Sequence, residues 1–531
     1  MNYRKSWILT LLIAFLSFTG NTKAQVQTQE AKTKDGLKYH IIQSGETLYR
    51  ITQTYQLTAE EICKANPGLS AQNFRAGETI LIPIAQTNVT PILPPKSNPN
   101  PKGIAGSDCR EMHKVKRKET IFSIAKKYNL SIEQLINANA EMKEKGYELK
   151  KGAFICIPIA VVIPPPPSDA ELFSVAQAKT KPISHLRIAV LLPFKSKTAE
   201  GARTVEYYQG ILMAVDSIRR LGTSVELYAY HSGTTESDMN LILSNPKMKQ
   251  MNLIFGPLYR TQMPTLNNFS KTNRIIVVSP FSSKGEEVYN NPQWMMLNSP
   301  DHEERAEVYH RFLSTFGKSN VVFIHKFPQG SEFTRGLQMK LKEQAITYSS
   351  LTQQFTDSQL RECLSSTTTN MIIPSSEDIS ALNVIAPKLK DFIKANPSYR
   401  LQLFGYPDWQ TFVRSQLENF YALDTYIYTP FYRNPLSVNV ARFERAYYKH
   451  FHKNMTKSYP RMAMFGFDSA LFFMKGVSRY GTSFSNQEIF SAPYQNGIKL
   501  KRVTNWGGMI NNNIWFVHYN TTHKIEINTF K

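Results

Sequence analysis

Ser123-Ile124-Ala125-Lys126 has the Ser-x-x-Lys spacing with which a lysine amine can activate a serine hydroxyl for acyl transfer. The same four residues fall inside the periodic run IFSIAKKYNL, which places Ile124 in a core and Ser123 and Lys126 on the surface of a short helix. Their spacing is that of a helix face. Other catalytic arrangements are missing from the chain: there is no Gly-x-Ser-x-Gly elbow and no His-Glu-x-x-His zinc helix. His302 and His310 have Glu303 and Glu304 as neighbours but lack metal-ligand spacing, and Cys363 lies in no catalytic pattern. The expected chemistry is binding, with no catalytic residue, cofactor or metal.

Length, charge and the first residues bound what is bound. With 531 residues, 42% of them hydrophobic, two or three domains and at least one large core are expected, and a formal net charge of +22 suits polyanionic surroundings. Arg4 and Lys5, the apolar stretch WILTLLIAFLSF, and Thr22 and Ala24 before Gln25 read as a secretory signal over residues 1–24. Export makes nucleic acid an unsuitable partner. No later stretch offers the roughly 18 to 20 apolar residues of a transmembrane segment. The four cysteines allow three pairings. Cys109 and Cys156 stand at the two ends of one small unit and are the expected disulfide, leaving Cys63 and Cys363 as free thiols in separate domains.

That small unit is the second of a pair. YHIIQSGETLYRITQTYQL, from Tyr39, and HKVKRKETIFSIAKKYNL, from His113, align with Ile51 over Ile124, Tyr55 over Tyr128, Ile62 over Leu135 and Asn66 over Asn139. Both copies close on a strand ending in proline, so each reads strand, helix, helix, strand. Thr47 and Thr120 are expected to cap the first helices. Thr58 with Glu61, and Ser131 with Gln134, have capping-box spacing for the second. The stretches TPILPPKSNPNPKG and VVIPPPPSD are expected to be polyproline spacers, over 86–107 and 161–185.

Both copies resemble LysM domains, over residues 38–85 and 108–160. The resemblance implies binding of N-acetylglucosamine-containing glycans such as peptidoglycan, in a groove between the loop Ser44, Gly45, Glu46, Thr47 and the loop Asn66, Pro67, Gly68, Leu69. The second copy departs from the pattern: Arg117 and Lys118 replace Ser44 and Gly45, and Ala140-Glu141 replaces Pro67-Gly68. Its lysines would instead face an anionic wall.

From about Leu186 the texture becomes strand-like runs alternating with helical segments: LRIAVLLPF, VELYAYHS, NLIFGPL, RIIVVSPF, NVVFIHK, NMIIPSS, LQLFGY and TYIYTPF. Apolar runs separated by helices imply an α/β fold of doubly wound parallel sheets, with ligands beyond the carboxyl ends of the strands. Over 186–531 the order resembles the two-lobed type I periplasmic binding proteins, such as branched-chain amino-acid receptors. The resemblance rests on IFGPLYRTQMPTLNNFSKTNRIIVVSPFSS and MFGFDSALFFMKGV. It implies a cleft whose candidate residues are Tyr259, Arg260, Ser279, Ser282 and Ser283 on one lobe and Phe327, Tyr406, Asp408 and Trp409 on the other. Arg260 suits a carboxylate or phosphate, Tyr259 and Trp409 a sugar face, Asp408 an amine. Asp468 is expected to serve orphan amides near a helix start.

Together these features imply a periplasmic protein held to the cell wall by LysM units. Its two-lobed module would take a small molecule or muropeptide. Alternatively it would contact a cell-wall synthesis protein, as a scaffold or activator; a wall hydrolase is the weaker third class.

Overall fold

A computed structural model describes residues 37–83, 109–130, 132–144, 147–158, 167–176, 182–482, 489 and 492–528. The signal segment 1–24, the spacer 86–107 and the capping residue Ser131 lie outside them.

The first small unit runs β1 (Leu37–Ile41), α1 (Leu48–Tyr55), α2 (Ala59–Ala65) and β2 (Thr79–Pro83), with the two strands antiparallel and Tyr39 opposite Leu81. The caps form as expected: Thr47 accepts from the Arg50 N–H, and Thr58 and Glu61 complete a capping box. The second unit repeats this order with β3 (Cys109–Lys114), α3 (Ile121–Lys127), α4 (Ile132–Ala138) and β4 (Phe154–Pro158). Cys109 and Cys156 are joined by a disulfide, while Cys63 and Cys363 are free. Closing a small unit that buries little apolar surface, the bridge restricts its unfolded chain.

Two polar devices recur in both units. His40 lies 3.0 Å from the Tyr55 hydroxyl and 2.8 Å from Glu46, and His113 repeats this with Tyr128 and Glu119 at 2.9 and 2.8 Å. Asn66 donates to Ile62 O and Leu81 O and accepts from the Leu81 N–H, lacing the end of α2 to β2. Asn139 does the same with Leu135 and Cys156. Both asparagines are buried, and each carboxamide serves backbone groups that burial would otherwise strand.

The expected spacer over 161–185 is not only a spacer. It contains α5 (Asp169–Ala176), started by a reciprocal Ser168–Glu171 pair. This helix packs on the first unit, not on the second that precedes it. Phe173 is 3% exposed and belongs to the core of Ile42, Leu48, Ile51, Ile62 and Ile80, with its ring centroid 5.8 Å from that of Phe74. The chain thus leaves the first unit, builds the second, and returns.

The remaining strands are β5 (His185–Leu192), β6 (Ser224–His231), β7 (Leu253–Phe255), β8 (Ile276–Ser279), β9 (Trp294–Met296), β10 (Asn320–His325), β11 (Tyr348–Thr352), β12 (Asn370–Pro374), β13 (Leu401–Gly405), β14 (Thr425–Thr429), β15 (Leu500–Arg502), β16 (Met509–Asn511), β17 (Trp515–Tyr519) and β18 (Ile525–Asn528). They form two seven-stranded sheets, β15-β16-β9-β8-β7-β5-β6 in lobe 1 and β11-β10-β12-β13-β14-β17-β18 in lobe 2. Each has a parallel centre with apolar side chains on both faces, as expected; the antiparallel pairs β15/β16, β14/β17 and β17/β18 were not.

The chain passes between lobes at 298–300, 430–437 and 512–514. After β14 it returns to lobe 1, where the helix Met462–Tyr480 lies against α6 (Ala199–Arg220). A Cβ at Gly210 would overlap Ala463 O and one at Gly466 would overlap Tyr207 O, so backbones meet where only glycine fits. Asp468 is the seventh residue of this helix, not its start. Its carboxylate accepts the N–H groups of Tyr494, Gln495 and Asn496 at 2.9, 2.9 and 2.8 Å, from a segment far along the chain.

Replacing Phe173 by Ala should unfold the first unit at lower temperature while leaving the lobes intact, since deleting a buried Phe costs about 3–5 kcal/mol. Hydrogen exchange of residues 37–83 would accelerate in this variant; unchanged exchange there would contradict the placement of α5.

Candidate functional site

Two surfaces were expected to bind: the loops of the first small unit and the cleft between the lobes. In the first unit, Ser44, Gly45 and Thr47 are exposed at the start of α1, with Gly45 at φ +76° in the tight turn. Glu46 is turned inward onto His40 and the Gln43 N–H. On the facing loop, Asn66 is consumed by the backbone and Leu69 is 3% exposed in the core. The side chains of these three residues are engaged within the unit. Of that loop's four residues, Pro67 and Gly68 remain partly accessible.

Both edges of the first unit meet other parts of the chain. The Leu48 N–H donates to Asp169 Oδ1 at 2.8 Å, a carboxylate set at the amino end of α1 where the free amides favour it. The Gly68 N–H donates to Asn505 O at 2.7 Å, in the loop between β15 and β16. Asn73 donates to the Asn505 side chain, which in turn donates to Thr79 O, both at 3.2 Å. The corresponding loops of the second unit differ: Lys116, Arg117, Lys118, Ala140, Glu141 and Lys143 are all exposed.

In the cleft, the carboxyl ends of the strands carry the expected residues, but several are turned away from solvent. Ser279 is fully buried, and Ser282 closes a turn with Lys284, leaving Ser283 half-buried. Phe281 fills the space between Tyr207 and Phe465, with ring centroids 5.0 and 6.2 Å away. Tyr259 is half-buried with its hydroxyl 3.4 Å from Glu200, and Arg260 is exposed at the start of a short 3-10 turn. On lobe 2, Trp409 is fully buried, donates to Glu377 O at 3.0 Å and stacks on Phe420. Any side chain at Gly405 would overlap its ring. Tyr406 is 4% exposed and donates to Pro374 O at 2.6 Å. Trp409, Tyr406 and Ser279 are therefore packing residues; a large ring following a tight strand end is more stable inside than exposed. Phe327 and Asp408 are exposed.

The lobe 2 wall also gathers charge that the sequence reading missed. Glu377 has its carboxyl pushed up by burial and by the nearby Asp408 and Asp378. Burial, with Asp301 next in effect, pushes Glu304 up to about 7. Burial also raises the Tyr459 hydroxyl, with Asp408 and Glu304 adding to the rise, and that hydroxyl reaches from the lobe 1 side to Thr429 and Phe431 O at 2.8 and 3.1 Å. Lys326 answers Asp378 at 3.0 Å and lowers its carboxyl. The sequence signal was Glu377-Asp378 immediately after the strand run NMIIPSS. Carboxylates beside tyrosine rings favour a cationic group such as an amine.

Residues 40–83 and 113–158 match the LysM domain model. Curated relatives include a secreted LysM effector of Pochonia chlamydosporia, 29% identical over 141 residues, and a secreted LysM effector of Trichophyton rubrum, 25% identical over 145. Each match covers 26% of this chain, and respectively 36% and 57% of the relative. The chain thus spans about a third and somewhat over half of their lengths. Solved structures similar to 65% of the chain include a putative branched-chain amino acid ABC transporter from Rhodospirillum rubrum (11% identity, TM-score 0.46, all of that chain covered). Another is the branched-chain amino acid substrate-binding protein LivJ from Streptococcus pneumoniae in complex with isoleucine (12%, 0.35, 99% of that chain). Likenesses this remote say nothing of what the lobes bind. Among the described residues no helix is long and apolar enough to cross a membrane.

Because the folded-state pKa of Glu304 lies above its ordinary 4.5, the folded protein holds that proton more tightly, and stability is lost as pH rises from there to about 7. Glu304→Gln should therefore raise the melting temperature at pH 8 and do so less at pH 5. An equal effect at both pH values would show that folding does not change the titration of this carboxyl between them.

Proposed function

We propose that this chain is an exported, non-catalytic binding protein that its LysM units hold on a glycan containing N-acetylglucosamine, peptidoglycan by preference, so that the two-lobed unit works at the wall of the periplasm. The observation that carries this reading is the second LysM unit: closed by a disulfide, it presents Lys116, Arg117, Lys118 and Lys143 on exposed loops. Cations in that position suit a polymer bearing carboxylates. The likeness to secreted LysM effectors supports a glycan target, and the disulfide supports an oxidising compartment.

Within the two-lobed unit, the acidic wall of Glu304, Glu377 and Asp408 favours a small solute or muropeptide presenting an amine. Exposed Leu436 and Val438, 81% and 68% accessible beside a lobe-crossing segment, favour a second use as a contact for a cell-wall synthesis protein.

The test is sedimentation of the full chain with insoluble peptidoglycan, chitin and cellulose. Retention on the first two, reversed by N-acetylglucosamine oligomers, is the expected result. Equal retention on cellulose, or release by salt with no effect of the oligomers, would defeat the glycan assignment. Soluble fragments appearing from the peptidoglycan would defeat the non-catalytic one.

A further inference from the structure

The groove edge of the first LysM unit is occupied by the protein itself. The loop between β15 and β16 places a full carboxamide and a backbone carbonyl against it. Asn505 O accepts the Gly68 N–H at 2.7 Å, and Asn505 Oδ1 lies 3.2 Å from Asn73 Nδ2. Asn505 Nδ2 donates to Thr79 O, also at 3.2 Å. Beside it the Trp506 ring centroid lies 5.6 Å from that of Tyr39. A Cβ at Gly68 would overlap Arg502 Cδ and crowd Asn505 O, so the loop approaches as closely as a glycine allows.

The chemistry of these contacts is that of an acetamido sugar. Such a sugar offers one amide carbonyl to accept a backbone N–H, one amide N–H to donate to a carbonyl, and an apolar face for an aromatic ring. Asn505 supplies the first two kinds of contact and Trp506 the third. We infer that the loop Thr504–Trp506 is an internal stand-in for glycan at the first LysM unit, so that glycan binding there and docking of this unit on lobe 1 exclude each other. This rests on the glycan reading above and adds to it a competition that couples the wall to the lobe.

Two further observations support the assignment. The second unit has Ala140 and Glu141 exposed where the first has Pro67 and Gly68, so its groove edge is open while that of its twin is covered. The loop is also built to hold its shape without the LysM unit. Gly507 and Gly508 fit against lobe 1 where a Cβ would overlap Trp294 O or Val288 O, and the Gly508 N–H donates to Val288 O at 2.6 Å. A preformed loop presents Asn505 at little cost in ordering. Because only undocked molecules can take glycan at the first unit, its apparent affinity falls in proportion to the undocked fraction. By the same linkage, glycan bound there disfavours docking.

Isothermal titration of the full chain with N-acetylglucosamine hexamer, alongside the double variant Asn505→Ala, Trp506→Ala, tests this directly. The variant should gain a second site, or bind at the first unit at least tenfold more tightly than the parent. In the unaltered protein, hydrogen exchange of residues 499–511 should accelerate when hexamer is bound, a measurement that survives any folding defect of the variant. Equal titrations with unchanged exchange overturn the competition and leave the glycan reading standing. Failure of both proteins to bind hexamer overturns the two together.

Discussion

One buried carboxylate organises the region where the lobes meet. Asp468, 2% exposed, takes three consecutive backbone N–H groups, those of Tyr494, Gln495 and Asn496. Burial raises its carboxyl to about 7 while those donors oppose the rise. The segment it holds then serves both neighbours: Gln495 O accepts the Tyr432 N–H at 3.0 Å, on the crossing from lobe 2, and Gln495 Oε1 accepts the Arg461 N–H at 2.9 Å. Two residues farther, Gly497 O receives Asn511 Nδ2 at 3.0 Å, and the hairpin carrying Asn505 begins. The same carboxylate thus fixes a crossing, the start of a lobe 1 helix and the base of the arm that reaches the LysM unit.

The small units show how one scaffold is given two surfaces. In each, a histidine linked to a tyrosine and a glutamate sets the first strand against the first helix, and a buried asparagine ties the second helix to the last strand. These bonds are indifferent to what stands outside. The differences lie in exposed loops: a glycine-containing pair in the first unit, and Arg117, Lys118 and Glu141 in the second. Outward faces diverge likewise, with Tyr39 meeting Trp506 while the matching Met112 is 56% exposed. A unit whose core is held by backbone-directed polar groups can change its surface freely.

Much of this was legible in the sequence because periodicity and capping report local structure. The paired repeats, the threonine caps, the Cys109–Cys156 bridge and the eight apolar strand runs are all found where their patterns put them. Strands set by partner and not by composition were missed, such as β11 and β15 to β18, which enter the three antiparallel pairs formed near the end of the chain. Resemblance located the site loops but could not tell lining from lacing: Asn66 and Trp409 occupy binding positions in sequence and core positions in space. The helix α5 carried a signal in Ser168-x-x-Glu171 followed by Leu172 and Phe173, but the prolines before it weighed more heavily. Contacts between residues more than four hundred apart, such as Asn73 with Asn505, leave no local trace.

The two attachments of the first LysM unit differ in kind, and that difference sets what can move. Phe173 and Leu172 of α5 enter its apolar core, an attachment that only unfolding would break. The hairpin meets it instead through polar contacts, among them those of Asn505, and one tilted ring contact, with no side chain entering the unit's core. The unit and α5 therefore travel together. Residues 177–184 join α5 to β5, and eight residues between those ends can span at most about 30 Å. An undocked unit stays within that reach of lobe 1, where its effective concentration is on the order of millimolar. On the competition proposed above, a weak contact would suffice to recapture it after glycan leaves, because the short covalent attachment keeps the unit near lobe 1.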